Sequence, residues 1–257
     1  MECFVDSDKQ YFPVYNWFER AINYPYKAPT TSFTFKNGKF YHGIQISLKN
    51  RVPIISIGSN RSPYQLKKKF GINNNLCVTP AKLYNSVIVY AASISAYGSI
   101  PATQWPCEGS VSYLNLLWLN EDQLQIMHLS EGLGIAYNYV QLDRDTVFFQ
   151  EEDYFGPIFG YVSTRGCYMF ENNLPTRIKY IKSNTNSLIS ISEYEALNKL
   201  FSENSSSEKS LESWLKKIIY NNNSRLALID KMSKKSILPK NAPWKILDVK
   251  VSGNNIY

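Results

Sequence analysis

The chain has 257 residues, 44% hydrophobic and 14% aromatic, enough to bury a substantial core in one large domain or a domain with extensions. No apolar run reaches bilayer-spanning length, and the start Met1-Glu2-Cys3-Phe4-Val5-Asp6 lacks the basic and apolar regions of a signal peptide. A cytoplasmic protein without membrane contact is therefore expected. The net charge is +7, with ten Lys/Arg against five Asp/Glu in residues 201–257. These lysines are spread over amphipathic segments rather than interleaved with aromatics, so a solvated basic surface is expected and nucleic acid is not. Four scattered cysteines without a CxxC pair and two histidines argue against a structural zinc site and for free thiols.

In chain order, residues 14–22 predict a short helix ended by Pro25, and Ser32–Tyr41 a hairpin about an Asn37-Gly38 turn. That turn places Phe35 opposite Phe40 and Phe33 opposite His42, which makes His42 a cross-strand neighbour rather than a catalyst. The β-branched run 52–57 suits a buried strand. Ser62, Pro63 and Gln65 predict a capped helix start, Gly71 its end, and Lys67, Lys68 and Lys69 a solvated last turn that complements the helix dipole. Strands are expected at 76–94, 97–104 and 110–119. A helix capped by Asn120 follows, with Gln123 at its third position. Strands near 135–142, 145–150 and 158–170 complete a mixed or barrel-like sheet. Helices at 192–201 and 208–219 flank a Ser-rich linker. No internal repeat is present.

Two segments carry chemistry. On the helix 121–131, Leu124, Met127, His128 and Glu131 share one face, which sets the Glu131 carboxylate at the edge of the core, where desolvation favours proton exchange near neutrality. A glutamate merely ending a helix in water is the bland alternative. Gly58, Ser59 and Asn60 follow a strand and precede a helix, an arrangement whose free amides bind a small carboxylate. Neither a dinucleotide nor a nucleoside-triphosphate loop spacing is present. Arg61 next to the loop offers a contact to a carboxylate, or is a solvated neighbour of the cap. Tyr97, Trp105 and Tyr113 either line a pocket or belong to the core.

Gly58-Ser59-Asn60 and the later Glu131-Gly132 with Tyr137, in that order and with Ser99-Ile100-Pro101-Ala102-Thr103 between them, resemble the γ-glutamylcyclotransferase family. The resemblance covers about residues 52–170. It implies an α+β fold with a γ-glutamylcyclotransferase-like mixed β-barrel and short helices at 51–185. An N-terminal hairpin extension at 1–50 and a mainly helical C-terminal extension at 186–257 lie outside it. It also implies intramolecular aminolysis: the α-amine of a γ-glutamyl group attacks its own γ-carbonyl, releasing an amine and 5-oxoproline. Glu131 would be the general acid/base, the Gly58–Asn60 loop would hold the substrate by main-chain N–H groups, and Tyr137 would wall the pocket. A tethered nucleophile needs positioning and one proton shuttle, so no cofactor or metal is expected. The partner is a small molecule bearing an amine and a carboxylate. Ile57 stands where the family has a tyrosine, which removes a phenol from the substrate pocket. Two other readings stay open: a non-catalytic binding protein for a small carboxylated metabolite, and an amide hydrolase on the same fold.

Overall fold

A computed structural model describes residues 6–71, 73–151, 153–170, 174–185, 187–205 and 207–249. Asn16 opens α1 (Trp17–Ile22) with a reciprocal capping box to Glu19, a later start than the apolar pattern predicts. The hairpin of β1 (Phe33–Lys36) and β2 (Lys39–His42) has the expected register, Phe35 opposite Phe40 and Phe33 opposite His42. Asn37 and Gly38 both take positive φ at its turn, as a two-residue turn matched to strand twist requires. His42 contacts Phe40 edge-on and hydrogen bonds Asp8 at 3.0 Å.

β3 (Val52–Ser56) is buried along most of its length and runs into a 3-10 turn, Ser59–Arg61, before α2 (Pro63–Phe70). Ser62 and Pro63 occupy the expected first positions of α2, but the expected capping box does not form. Ser62 Oγ and Gln65 Oε1 are buried without hydrogen-bond partners among the described residues, because Gln65 lines a cavity instead of folding back on the cap.

β4 (Leu76–Tyr90) pairs with β5 (Ala102–Leu119) from Cys77 opposite Trp118 to Tyr90 opposite Ala102. The two strands expected at 97–104 and 110–119 are thus one. The break between them is a bulge: Ser86 faces Pro106 and Tyr84 faces Val111, with the intervening residues looped out. Gly109 takes φ +71° there and donates its N–H to Asn85 Oδ1 at 2.9 Å. Extra residues of this kind bend a strand without ending its ladder.

α3 (Glu121–Glu131) opens with the capping box expected of Asn120 and Gln123, and closes on Gly132 in the left-handed conformation. Next come β6 (Tyr137–Leu142), β7 (Val147–Phe149), β8 (Ile158–Ser163), β9 (Cys167–Tyr168), β10 (Arg177–Ile178) and β11 (Ser190–Ile191). Three helices, α4 (Glu193–Asn204), α5 (Leu211–Tyr220) and α6 (Asn222–Lys234), precede β12 (Ser236–Ile237) and β13 (Trp244–Ile246). The expected strand over 158–170 is split at Gly166 into β8 and β9, and β9 pairs with β12 instead of extending the main sheet.

The fold is α+β. The main sheet is mixed and runs β11-β10-β4-β5-β3-β8-β6-β13, with β7 and the β1–β2 hairpin also held on β4. The β3–β8 and β10–β11 pairs are parallel. The expected barrel is corrected here to an open sheet: no pairing joins β11 to β13 among the described residues. Short strands from residues 177–246 take up both ends of the ladder, which covers the edges that closure would otherwise satisfy.

The segments expected as extensions share this sheet and core. β1 pairs with β4 and β13 with β6. Ala21, Tyr24 and Tyr26 pack in one cluster with Ile57, Leu197, Trp214 and Leu215. A second cluster joins Phe33, Ile54, Leu66, Phe70, Met127 and Tyr161, and clamps α2 and α3 against the sheet. Cys77, Cys107 and Cys167 are free thiols, as expected, while Cys3 lies outside the described residues. No described helix is long and apolar enough to cross a membrane.

Candidate functional site

The residue after β3, the end of α3, the start of β5 and the start of β6 converge on one cavity of about 660 Å³. Ile57, Gly58, Ser59, Asn60, Glu131 and Tyr137 all line it, so six of the seven residues singled out in the sequence meet in one place.

Glu131 reaches the cavity because α3 buries Met127 and His128 on the face expected from their spacing, leaving the carboxylate one turn further along at the margin of the core. Its Oε1 accepts from Asn60 Nδ2 at 3.0 Å and from Lys69 Nζ at 2.5 Å. The Lys69 and Glu131 side chains are only 7% and 14% exposed, so this is a largely dehydrated ion pair. The expectation that the lysines ending α2 are all solvated fails at Lys69. Leu66, Lys69 and Phe70 share a helical face, and Leu66 and Phe70 are buried, so the helical spacing already places Lys69 inward.

Glu131 Oε2 has no hydrogen-bond partner among the described residues, and neither does the buried Asn60 Oδ1. One Asn60 side chain therefore anchors the carboxylate with its amide N–H and offers its carbonyl to an incoming donor. The loop itself differs from the expected helix N-terminus. A three-residue 3-10 turn intervenes before α2, so the amides of Ser59 and Asn60 belong to that turn and not to the first turn of α2.

Gly58 is confined by its surroundings. A Cβ there would collide with Tyr24 Oη and sit 3.1 Å from the Ala102 Cβ. Tyr24 accepts the Ala102 N–H at 2.9 Å, and Tyr137 donates its hydroxyl to the Ala102 carbonyl at 2.8 Å, so two phenols hold the start of β5 against the loop. Ile57 supplies no phenol, but Tyr24, from the N-terminal segment, brings one to the same cavity. Tyr24 carries no local motif that marks it, because its place depends on the packing of α1 against α4 and α5.

Burial, and then the Glu131 charge, push the Tyr97 phenol up to about 12 and raise Tyr137 further. Both phenols remain protonated at neutral pH. The Arg20 guanidinium lies 4.3 Å from the centre of the Tyr97 ring, with its buried Nε unpartnered among the described residues. Behind Glu131, His128 Nδ1 and Tyr161 Oη hydrogen bond at 2.7 Å, and desolvation lowers the His128 pKa, which keeps the ring neutral.

Among the described residues, Glu131 is the only acid lining the cavity, against Arg20, Lys68, Lys69, Arg165 and Arg225. Arg225 is committed to the carbonyls of Ile218 and Ile219 at the end of α5, and Arg165 reaches the Ile135 carbonyl at 3.2 Å. The field inside favours anions. Arg61, the seventh predicted residue, is not part of this site. It points to the other side of its turn, donates Nε to Asn115 Oδ1 at 2.8 Å, and lines a different cavity. Of the three aromatics noted in the sequence, Tyr97 lines the Glu131 cavity, Tyr113 lines that second one, and Trp105 packs beside Val87 and Val89.

The fold and cavity thus define an α+β protein with a single carboxylate among cations and phenols. Among solved structures, the chain is similar to a γ-glutamyl cyclotransferase, with 16% identity and a TM-score of 0.37 over 44% of this chain and 67% of that one. It is also similar to the human uncharacterized protein loc79017, with 16% identity and a TM-score of 0.36 over 45% and 68%. No protein-family model and no curated protein matches the chain.

Proposed function

We propose that the protein is a cofactor-free γ-glutamylcyclotransferase-like enzyme that converts a γ-glutamyl amide to 5-oxoproline and a free amine. The observation that carries this reading is the convergence of Glu131 and the Gly58–Asn60 loop on one cavity, with Asn60 bonded to the Glu131 carboxylate at 3.0 Å. Glu131 Oε2 takes a proton from the substrate α-ammonium. The freed amine attacks the γ-carbonyl carbon and the new ring C–N bond forms. The amide C–N bond breaks as the proton passes to the leaving amine, and the second proton remaining on the ring nitrogen is then given up to the same carboxylate, leaving the neutral lactam. Tethering supplies the nucleophile at high effective concentration, so the protein has mainly to fold the substrate and shuttle protons off the attacking nitrogen.

The loop amides and Arg20 suit the substrate α-carboxylate, and the remaining cations favour a leaving amine that carries a further negative charge. The test is 5-oxoproline release from a panel of γ-glutamyl amides by the intact protein. Glu131→Gln should lower kcat by about 10²–10⁴-fold while substrate still binds. Full activity of that variant on the best substrate would overturn the mechanism.

The Lys69–Glu131 ion pair favours a second reading. A carboxylate already paired at 2.5 Å with a nearly buried ammonium also suits a binding protein that recognises a small carboxylated metabolite without turnover. That reading predicts ligand-induced thermal stabilisation with no 5-oxoproline from any member of the panel.

A further inference from the structure

The larger cavity, about 1050 Å³, shares no lining residue with the one at Glu131. Its wall carries Lys27, Arg61, Lys82 and Lys182, and no Asp or Glu among the described residues. Desolvation holds the Arg61 guanidinium down to about 10, and no carboxylate among the described residues of the wall offsets that cost. Asn115, itself buried, fixes Nε at 2.8 Å. No acceptor among the described residues meets the two terminal nitrogens, and a guanidinium held by one edge presents the other as a planar fork suited to a phosphate.

The sheet beside Arg61 adds a second pattern. Lys82 on β4 stands between Phe148 on β7 and Tyr113 on β5 in the strand register, and Tyr113 N–H bonds the Lys182 carbonyl on the next segment. One row across the sheet therefore reads aromatic, cation, aromatic, cation, over roughly 14 Å at normal strand spacing. The Lys82 ammonium lies 5.7 Å from the Phe148 ring and 6.0 Å from Tyr113, and the Lys182 ammonium 5.1 Å from Tyr113. Phe148 is 57% exposed and Tyr180, on the same wall, 67%, so ring faces are open to solvent beside the cations. Exposed aromatic faces set among cations are the physical requirement for stacking a planar heterocycle while holding its phosphate. The cavity is at the upper limit of the usual size range for a small ligand.

We propose that this second cavity binds a nucleoside phosphate, with the phosphate on Arg61 and Lys82 and the base stacked on the exposed Phe148. The proposal is independent of the chemistry at Glu131.

The test is calorimetric titration of the full-length protein with AMP, ATP, inorganic phosphate and inorganic tripolyphosphate. Saturable nucleotide binding is expected, about tenfold or more tighter than inorganic phosphate. Arg61→Gln and Lys82→Ser should each weaken it about tenfold. Phe148→Ser, at an exposed position that leaves the fold intact, should weaken AMP but not tripolyphosphate. A γ-glutamyl amide should not displace AMP. The proposal is overturned by any of four results: no saturation by either nucleotide, undiminished binding in both cation variants, displacement by the γ-glutamyl amide, or affinity that rises with the length of an oligonucleotide, which would mark a single-strand surface instead.

Discussion

At the scale of single residues, the Glu131 cavity rests on side chains with two jobs. Asn60 both fixes the carboxylate and offers an acceptor, and Tyr24 both pins the start of β5 and limits position 58 to glycine. Gly58→Ala should therefore destabilise the protein by about 1–3 kcal/mol through overpacking and lower any turnover. Pairing it with Tyr24→Phe, which removes the hydroxyl the new methyl group meets, should recover part of the melting temperature. If the double variant melts no higher than Gly58→Ala alone, Tyr24 is not what confines the glycine.

At the scale of elements, α3 is the arm that carries the carboxylate, and its base is tied down by polar bonds. Asn120 and Gln123 cap each other, and Gln123 also accepts from Arg51 at 3.0 Å and donates to the Asn75 carbonyl at 3.0 Å. Asn120→Ala should cost about 0.5–2 kcal/mol in denaturant unfolding. A loss well below that range would mean that packing of Met127 alone holds the helix.

This cap, the facial spacing of Met127 and Glu131, and the register of the β1–β2 hairpin were all legible in the sequence, because each depends on residues within a turn or two of one another. The union of two expected strands into β5 was not, because Gly109 reads locally as a stop and only pairing with Asn85 makes it a bulge. Nor was the open sheet, which depends on β13 returning from the C-terminal segment to cover β6. At the site, the loop and Glu131 could be read from motif order, and Lys69 from helical spacing. Arg20 and Tyr24 could not, since only the packing of residues 17–26 against β5 and the C-terminal helices brings them there.

At the scale of the whole molecule, Glu193 links the C-terminal helices to the sheet. It is fully buried at the start of α4, its Oε1 accepts the Ile100 N–H at 2.6 Å, and its Oε2 has no partner among the described residues. Desolvation raises its pKa well above the usual value, and the Ile100 bond only partly opposes this. Below about pH 4.5 both folded and unfolded states hold the proton, and the group leaves stability unchanged with pH. Above it the unfolded chain releases the proton while the folded protein keeps it, so stability falls until the folded pKa is passed. Glu193→Gln, which mimics the protonated side chain, should melt higher than the wild type at pH 7 and lose that advantage below about pH 4.5. A constant difference across that range would show that Glu193 is not titrating between the two states.

Asn60 and Arg61 are neighbours in one three-residue turn, yet the first faces the Glu131 cavity and the second the basic one. Two separate compartments therefore meet at a single peptide bond. Point substitutions can alter either compartment separately. Changes in the length of this turn cannot, because one added or deleted residue re-aims the amide and the guanidinium together. Over evolution such a junction tolerates changes of side chain and resists insertions and deletions, and the spacing at residues 58–61 should be the most length-invariant stretch in any relative that retains both compartments.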